Sequence, residues 1–214
     1  MKFILSSNDF SNPEMIAEEI GKPFSEIRLL YIPNEKSNEK QMRGDKFKEK
    51  MTQFGFRAEN VSVLNYYQPE SAKDLDLDAI FMSGGNTFGI MYRLRKHGVL
   101  GLIEEYIRKG VVYIGASAGC HVIGKGIAHV APFDQNTVGL EDFSALGLFD
   151  GIFFCHYGEA RRPYYEEALK TSECPVYTIP NGTSLVIEDG VLVRTVVGEP
   201  PKRREEQNDE SRFA

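Results

Sequence analysis

The stretch Val111–Gly124, VVYIGASAGCHVIG, sets one serine, Ser117, between two alanines and two glycines. An apolar run leads in and helix-compatible residues follow. A serine acts as a nucleophile when it projects from a sharp strand-to-helix turn, and such a turn is strained and crowded. Small residues at 115, 116, 118 and 119 relieve the crowding, so G-x-S-x-G in this setting points to a nucleophile elbow. The competing reading is a tight turn that needs glycine only for packing. The following helix would bring backbone N–H groups and its positive end to a developing oxyanion.

Such a serine needs a base, and the chain has four histidines. His97 follows Lys96 at an expected helix end, where a cation suits the dipole. His121 lies one turn beyond Ser117 and packs beside the elbow more readily than it reaches the hydroxyl. His129 has no distinguishing context. His156 closes the apolar run GIFFCH and is the best-placed base, against the reading of a satisfied core histidine. A carboxylate should then fix the imidazole tautomer. Asp134, Glu141 and Asp142 lie between serine and histidine. Asp134 follows Pro132-Phe133 in a loop that can aim inward, and each of the three could equally be a surface acid. Asp150 would enter the His156 strand at the wrong end.

A second glycine-rich loop, Ser83-Gly84-Gly85-Asn86-Thr87, follows another apolar run. Two glycines let backbone N–H groups come close to a ligand. This loop reads as a second oxyanion donor with Asn86 at the substrate, or as a helix start capped by Asn86. It lacks G-K-[ST] and a full G-x-G-x-x-G, which weighs against a nucleotide site.

The elements that must position these groups alternate. Strands are expected at 2–6, 27–32, 60–64, 77–82, 111–115, 151–157 and 176–179. Helices are expected at 13–21, 38–54, 86–96, 99–108, 118–124 and 163–171. Two further strands, 184–187 and 191–197, flank Glu188-Asp189-Gly190 as a β-hairpin. This predicts an α/β fold with three layers: a mainly parallel sheet, helices on both faces, and a C-terminal hairpin. One domain should span 1–214, with 198–214 a charged, solvated extension. Sites in such sheets lie at the carboxyl ends of strands, so Ser83–Asn86, Ser117 and His156 should share one edge.

Bulk properties narrow the class. The 214 residues are 42% hydrophobic and 26% charged, with a net charge of −6, so no basic face for nucleic acid is implied. No apolar run is long enough to cross a membrane, and the N-terminus turns polar too soon for a secretory signal. Three scattered cysteines form no C-x-x-C pair, which suits a reducing cytoplasm and offers no metal site.

Taken in order, M-S-G-G-N-T-F, then Y-I-G-A-S-A-G, then a strand ending in His-Tyr resemble peptidase family S51, the aspartyl dipeptidases and, more distantly, the cyanophycinases. The resemblance runs from Ala79 to about Val197. It implies a serine hydrolase on a sheet like that of the class I glutamine amidotransferases, cytoplasmic and needing no metal or cofactor. It implies Ser117 as nucleophile, His156 as base, and the N–H groups of Gly85 and Ala118 as the oxyanion hole. The family's aspartate falls at Asp134, and Asn86 matches its substrate-contacting asparagine. Glu159-Ala160-Arg161 is similar to the family's Glu-Thr-Arg, whose arginine binds an acidic substrate side chain. Where the family has a glutamate before a glycine, this chain has Asn181-Gly182, so the third member stays open among Asp134, Glu141, Asp142 and Asn181. The implied activity is removal of an N-terminal acidic residue from short peptides through an acyl-enzyme. An esterase or amidase using the same serine, or a binding protein that has lost turnover, are the alternatives.

Overall fold

The computed structural model describes residues 1–198. The charged extension expected from residue 198 therefore lies, apart from Gly198, outside the described residues.

In chain order the strands are β1 (Lys2–Ser6), β2 (Leu29–Ile32), β3 (Val61–Val63), β4 (Ala79–Met82), β5 (Val112–Ala116), β6 (Ile152–Tyr157), β7 (Val176–Pro180), β8 (Thr183–Glu188) and β9 (Val191–Val197). Seven of them form one sheet in the order β3-β2-β4-β5-β1-β8-β9. Pairing is parallel from β3 to β1 and antiparallel through β8 and β9. The sheet is thus mixed and mainly parallel, as the alternating pattern predicts. Asp189 and Gly190 close the β8–β9 hairpin at φ 48° and 82°, the left-handed pair that a two-residue turn of this kind requires.

The helices are α1 (Pro13–Ile20), α2 (Glu39–Arg43), α3 (Lys46–Thr52), α4 (Thr87–Lys96), α5 (Val99–Arg108), α6 (Ala118–His121) and α7 (Arg162–Thr171). Alternate strand residues face opposite layers, as the period of two demands. Leu5, Leu30, Ile80 and Tyr113 pack with Ile90, Leu94, Ile103 and Ile107 of α4 and α5. Ile4, Tyr31, Phe81 and Ile114 pack with Met15, Ile16 and Met51 of α1 and α3. Both strand faces are buried, which is why these strands are continuously apolar.

Two expectations change. The single helix expected over 38–54 is two. Asn38 caps α2 in a reciprocal box with Gln41, and the chain then goes extended at Gly44 (φ −91°, ψ 177°) before α3 begins. The strand carrying His156 does not join the main sheet. Among the described residues β6 pairs only with β7, in a separate two-stranded parallel sheet. The edge bearing Ser83–Asn86 and Ser117 is shared as expected, and His156 comes to it from the second sheet.

Candidate active site

Ser117 sits between β5 and α6 at φ 50°, ψ −114°, a backbone region that side-chain-bearing residues rarely occupy. Its N–H donates to the Ser6 carbonyl at 2.8 Å, which ties the turn to the end of β1. The flanking glycines are required by contact. A Cβ on Gly115 would lie 2.8 Å from the Gly119 carbonyl oxygen, and one on Gly119 would run into the Met82 carbonyl. Close packing of strand end, turn and helix start therefore holds the strained serine in place.

His156 is also left-handed, at φ 51°, where the β6–β7 register shifts between Cys155 and Tyr157. This irregularity turns the imidazole toward the elbow. Its Nε2 lies 2.8 Å from Ser117 Oγ, and its Nδ1 lies 2.6 Å from Oδ1 of Asn181, in the turn between β7 and β8. An amide oxygen only accepts, so Nδ1 carries the proton and Nε2 keeps its lone pair for the serine hydroxyl. The Ser7 hydroxyl, just past β1, accepts the His156 N–H at 2.8 Å and donates to the Ile179 carbonyl.

The expectation that Asp134 orients the histidine is corrected by this geometry. Asp134 Oδ2 accepts the Thr87 N–H at 2.8 Å, at the start of α4, and Asn181 occupies the position beside Nδ1. A helix N-terminus is a natural seat for a carboxylate, which explains the capture. Asp142 pairs with Arg95 at 3.1 Å, Asp150 pairs with Lys125 at 3.1 Å, and Glu141 is exposed. The other histidines have separate duties. His97 ends α4 and packs on Tyr66 and Tyr67. His129 Nε2 lies 2.8 Å from the Phe153 carbonyl, and burial, helped by neighbouring His121, pulls its pKa down to about 3. It is a neutral spacer under the site. The Cys120 thiol, pushed up by burial, likewise stays protonated.

Gly85 and Ala118 line the same crevice as Ser117. The Gly85 N–H has no partner among the described residues, and the Ala118 N–H opens α6, where no intrahelical acceptor exists. Asn86 is committed to structure. Its Oδ1 accepts the Gly89 N–H at 2.9 Å as the cap of α4, and its Nδ2 donates to the Gln135 carbonyl at 2.9 Å. Arg161 lines the crevice, donates to the Cys155 carbonyl, and lies 4.1 Å over the Phe133 ring. Burial pulls its guanidinium below the ordinary value, against the attraction of Asp134. Arg162 instead pairs with Glu159 at 2.5 Å. The crevice is narrow, about 30 Å³, while a cavity of about 710 Å³ shares its Phe133 and Asp134 walls. Among the described residues, no cluster of three His, Cys, Asp or Glu is arranged to hold a metal ion, and no helix is long and apolar enough to cross a membrane.

Two groups that touch this machinery carry a readable signal. Ser7 follows β1 directly and Asn34 follows β2 after Pro33, both at the edge that singled out Ser83 and Ser117. Asn181 was visible only as the residue before a late glycine.

The sequence profile of Peptidase family S51 matches residues 3–194. The chain is 30% identical over 147 residues to Peptidase E of Shewanella denitrificans, covering 67% of this chain and 62% of that protein. It is 28% identical over 155 residues to Peptidase E of Haemophilus influenzae, covering 67% and 70%. The matched segment thus spans about two thirds of the length of these relatives. A crystal structure from Listeria monocytogenes EGD-e superposes with a TM-score of 0.70 at 24% identity, over 92% of this chain and 98% of that one. That likeness supports the fold.

Proposed function

The chain belongs to peptidase family S51, and from that premise we propose that it is a serine peptidase hydrolysing short peptides through an acyl-enzyme on Ser117. The observation that carries the reading is the continuous contact from Ser117 Oγ through His156 to Asn181, at 2.8 and 2.6 Å. Ser117 Oγ adds to the scissile carbonyl carbon while its proton passes to His156 Nε2. The Gly85 and Ala118 N–H groups receive the negative charge that moves onto the carbonyl oxygen. The tetrahedral species collapses, the C–N bond breaks, and His156 returns the proton to the leaving amine. Water then adds to the ester by the same path and frees Ser117. Asn181 fixes the tautomer that begins this cycle and adds no charge to steady the imidazolium. A sheet like that of the class I glutamine amidotransferases is implied by the family resemblance, and the mainly parallel strands are in keeping with it.

Selection of an N-terminal acidic residue falls to Arg161. The guanidinium already donates to Cys155, stacks on Phe133 and faces Asp134. A substrate carboxylate must displace those contacts in a crevice with little room, so the preference should be weak. A free charge-assisted pair contributes about 1.5–3 kcal/mol, or roughly 10- to 150-fold in kcat/KM. We expect Asp-X and Glu-X to exceed neutral dipeptides by less than that.

A fluorophosphonate probe and a dipeptide panel test the reading on the purified protein. Labelling at Ser117 with dipeptide hydrolysis is expected. Hydrolysis of esters but not peptides would move the chain to the esterase class. Absence of both labelling and turnover would make it a binding protein. Arg161→Ala should narrow any gap between acidic and neutral substrates, and an unchanged ratio would remove Arg161 from specificity.

A further inference from the structure

We propose that Asn34 is a positioning residue that aims the Gly85 oxyanion donor, and that Glu35 and Arg93 complete a clamp around it. The inference rests on the proposed role of the Gly85 N–H and adds the device that orients it.

The N–H of Gly85 and the C=O of Gly84 belong to one planar peptide unit, so holding the oxygen sets where the N–H points. Asn34 Nδ2 donates to the Gly84 oxygen at 3.1 Å. The amide is itself locked, because its Oδ1 accepts from the Lys36 N–H and the Ser37 hydroxyl, each at 3.2 Å. On the other side of Gly85, the Asn86 N–H donates to Glu35 Oε1 at 3.1 Å. Two consecutive side chains therefore grip the backbone immediately before and after the donor.

The grip is rigid because its base is buried. Arg93, on α4, donates from Nη1 to the carbonyls of Asn34 and Glu35, both at 3.0 Å. Arg93 is 8% exposed, and its guanidinium lies 4.2 Å over the Tyr66 ring. The Tyr66 hydroxyl donates to the Pro33 carbonyl at 2.8 Å, so three successive carbonyls are held. Gly85 and Gly89 make the room. A Cβ on Gly85 would collide with Glu35 Oε2, and one on Gly89 would lie 2.7 Å from Glu35 Cγ. Among the described residues Glu35 Oε2 is buried with no hydrogen-bond partner, wedged against those glycines and unavailable to substrate. A donor bond into the Gly84 oxygen also polarises the peptide and strengthens its N–H as a donor.

The test uses the full chain and the rate of fluorophosphonate labelling at Ser117, read as kinact and KI. Loss of one oxyanion donor lowers rates by about 10²–10³. A misaimed donor should stop short of that. Asn34→Asp keeps the shape but turns an acceptor on the Gly84 oxygen, and kinact per labelled site should fall about 10- to 100-fold with KI within about threefold. A purely structural role would lower the melting temperature or the fraction labelled and leave kinact per site unmoved. Glu35→Ala should lower kinact, and Glu35→Gln, which keeps the acceptor, should recover most of it. If Asn34→Asp melts below the assay temperature, Asn34→Ser carries the same expectation without added charge. Wild-type kinact in the folded Asn34 variants, with a labelled wild type, overturns the clamp and leaves the peptidase standing. A wild type that neither labels nor hydrolyses overturns both.

Discussion

Replacing Asn181 by aspartate puts a charge where the structure has only a dipole. The Asn181 Oδ1 is 2.6 Å from His156 Nδ1, and the pair is open to solvent. A carboxylate there faces an imidazolium with charge centres about 4 Å apart, an interaction of roughly 1 kcal/mol in water and 4 kcal/mol at a protein surface dielectric. Solvent exposure selects the lower part of that range, about 1–2 kcal/mol, or close to one pH unit. The charge favours the protonated ring, so the acidic limb of the kcat/KM profile should move to higher pH by about one unit. Above that limb the rate should equal or exceed the wild type, since the imidazolium formed during proton transfer is better stabilised. Asn181→Ala should instead lower kcat at every pH, because nothing then fixes the tautomer. The assay is kcat/KM from pH 4.5 to 9 on the best dipeptide of the panel. An acidic limb that stays in place in Asn181→Asp would refute the reasoning and remove Asn181 from the site.

Three further outcomes follow from the packing. Ser117→Ala should abolish turnover by several orders of magnitude with an unchanged melting curve, and Ser117→Gly should also relieve the left-handed φ by about 1 kcal/mol; a melting temperature that does not rise in Ser117→Gly would deny strain at the elbow. Gly119→Ala drives a methyl into the Met82 carbonyl, so it should destabilise by more than about 3 kcal/mol or yield insoluble protein; a well-folded, active variant would contradict the packing. His129 binds its proton less readily folded, at about 3, than unfolded, near 6.5, so its contribution is present above pH 6.5 and is lost as pH falls. Acidifying from pH 8 to 5 should remove about 2 kcal/mol of stability through this group, and His129→Gln should flatten that slope; an identical slope in both proteins would assign the loss elsewhere.

The elbow was legible because its demands are local. A serine in a left-handed turn needs small neighbours in contact, and Gly115 and Gly119 announce that in five residues. The alternating elements were legible for the same reason, since each strand shows its burial as an apolar run. What was hidden depends on approach between distant segments. Asp134 had the right type and loop but was taken by the Thr87 N–H, 47 residues away in sequence. Asn181 reaches His156 from a turn 25 residues on; it stood among the four candidates only through the family resemblance, since nothing in Pro180-Asn181-Gly182 itself sets it apart from an ordinary turn asparagine. The helix expected over 38–54 kept its apolar spacing across a break, because Met42, Phe47 and Met51 all face the core from two separate helices. The separate pairing of β6 with β7 was equally invisible, since a strand's composition does not name its partner.

The split between the two sheets divides the chemistry as well. Ser117 and the Ser83–Asn86 loop ride on β5 and β4, whereas His156 and the Asn181 amide beside it ride on β6 and the end of β7. One small hydroxyl spans the join: Ser7, 1% exposed, holds the His156 N–H and the Ile179 carbonyl at once. Ser7 is thus the fiducial mark by which one half is registered against the other. Asn181 can then be exchanged at the tip of its own ribbon without disturbing the serine, while a slip of an ångström at Ser7 would throw both halves out of alignment together.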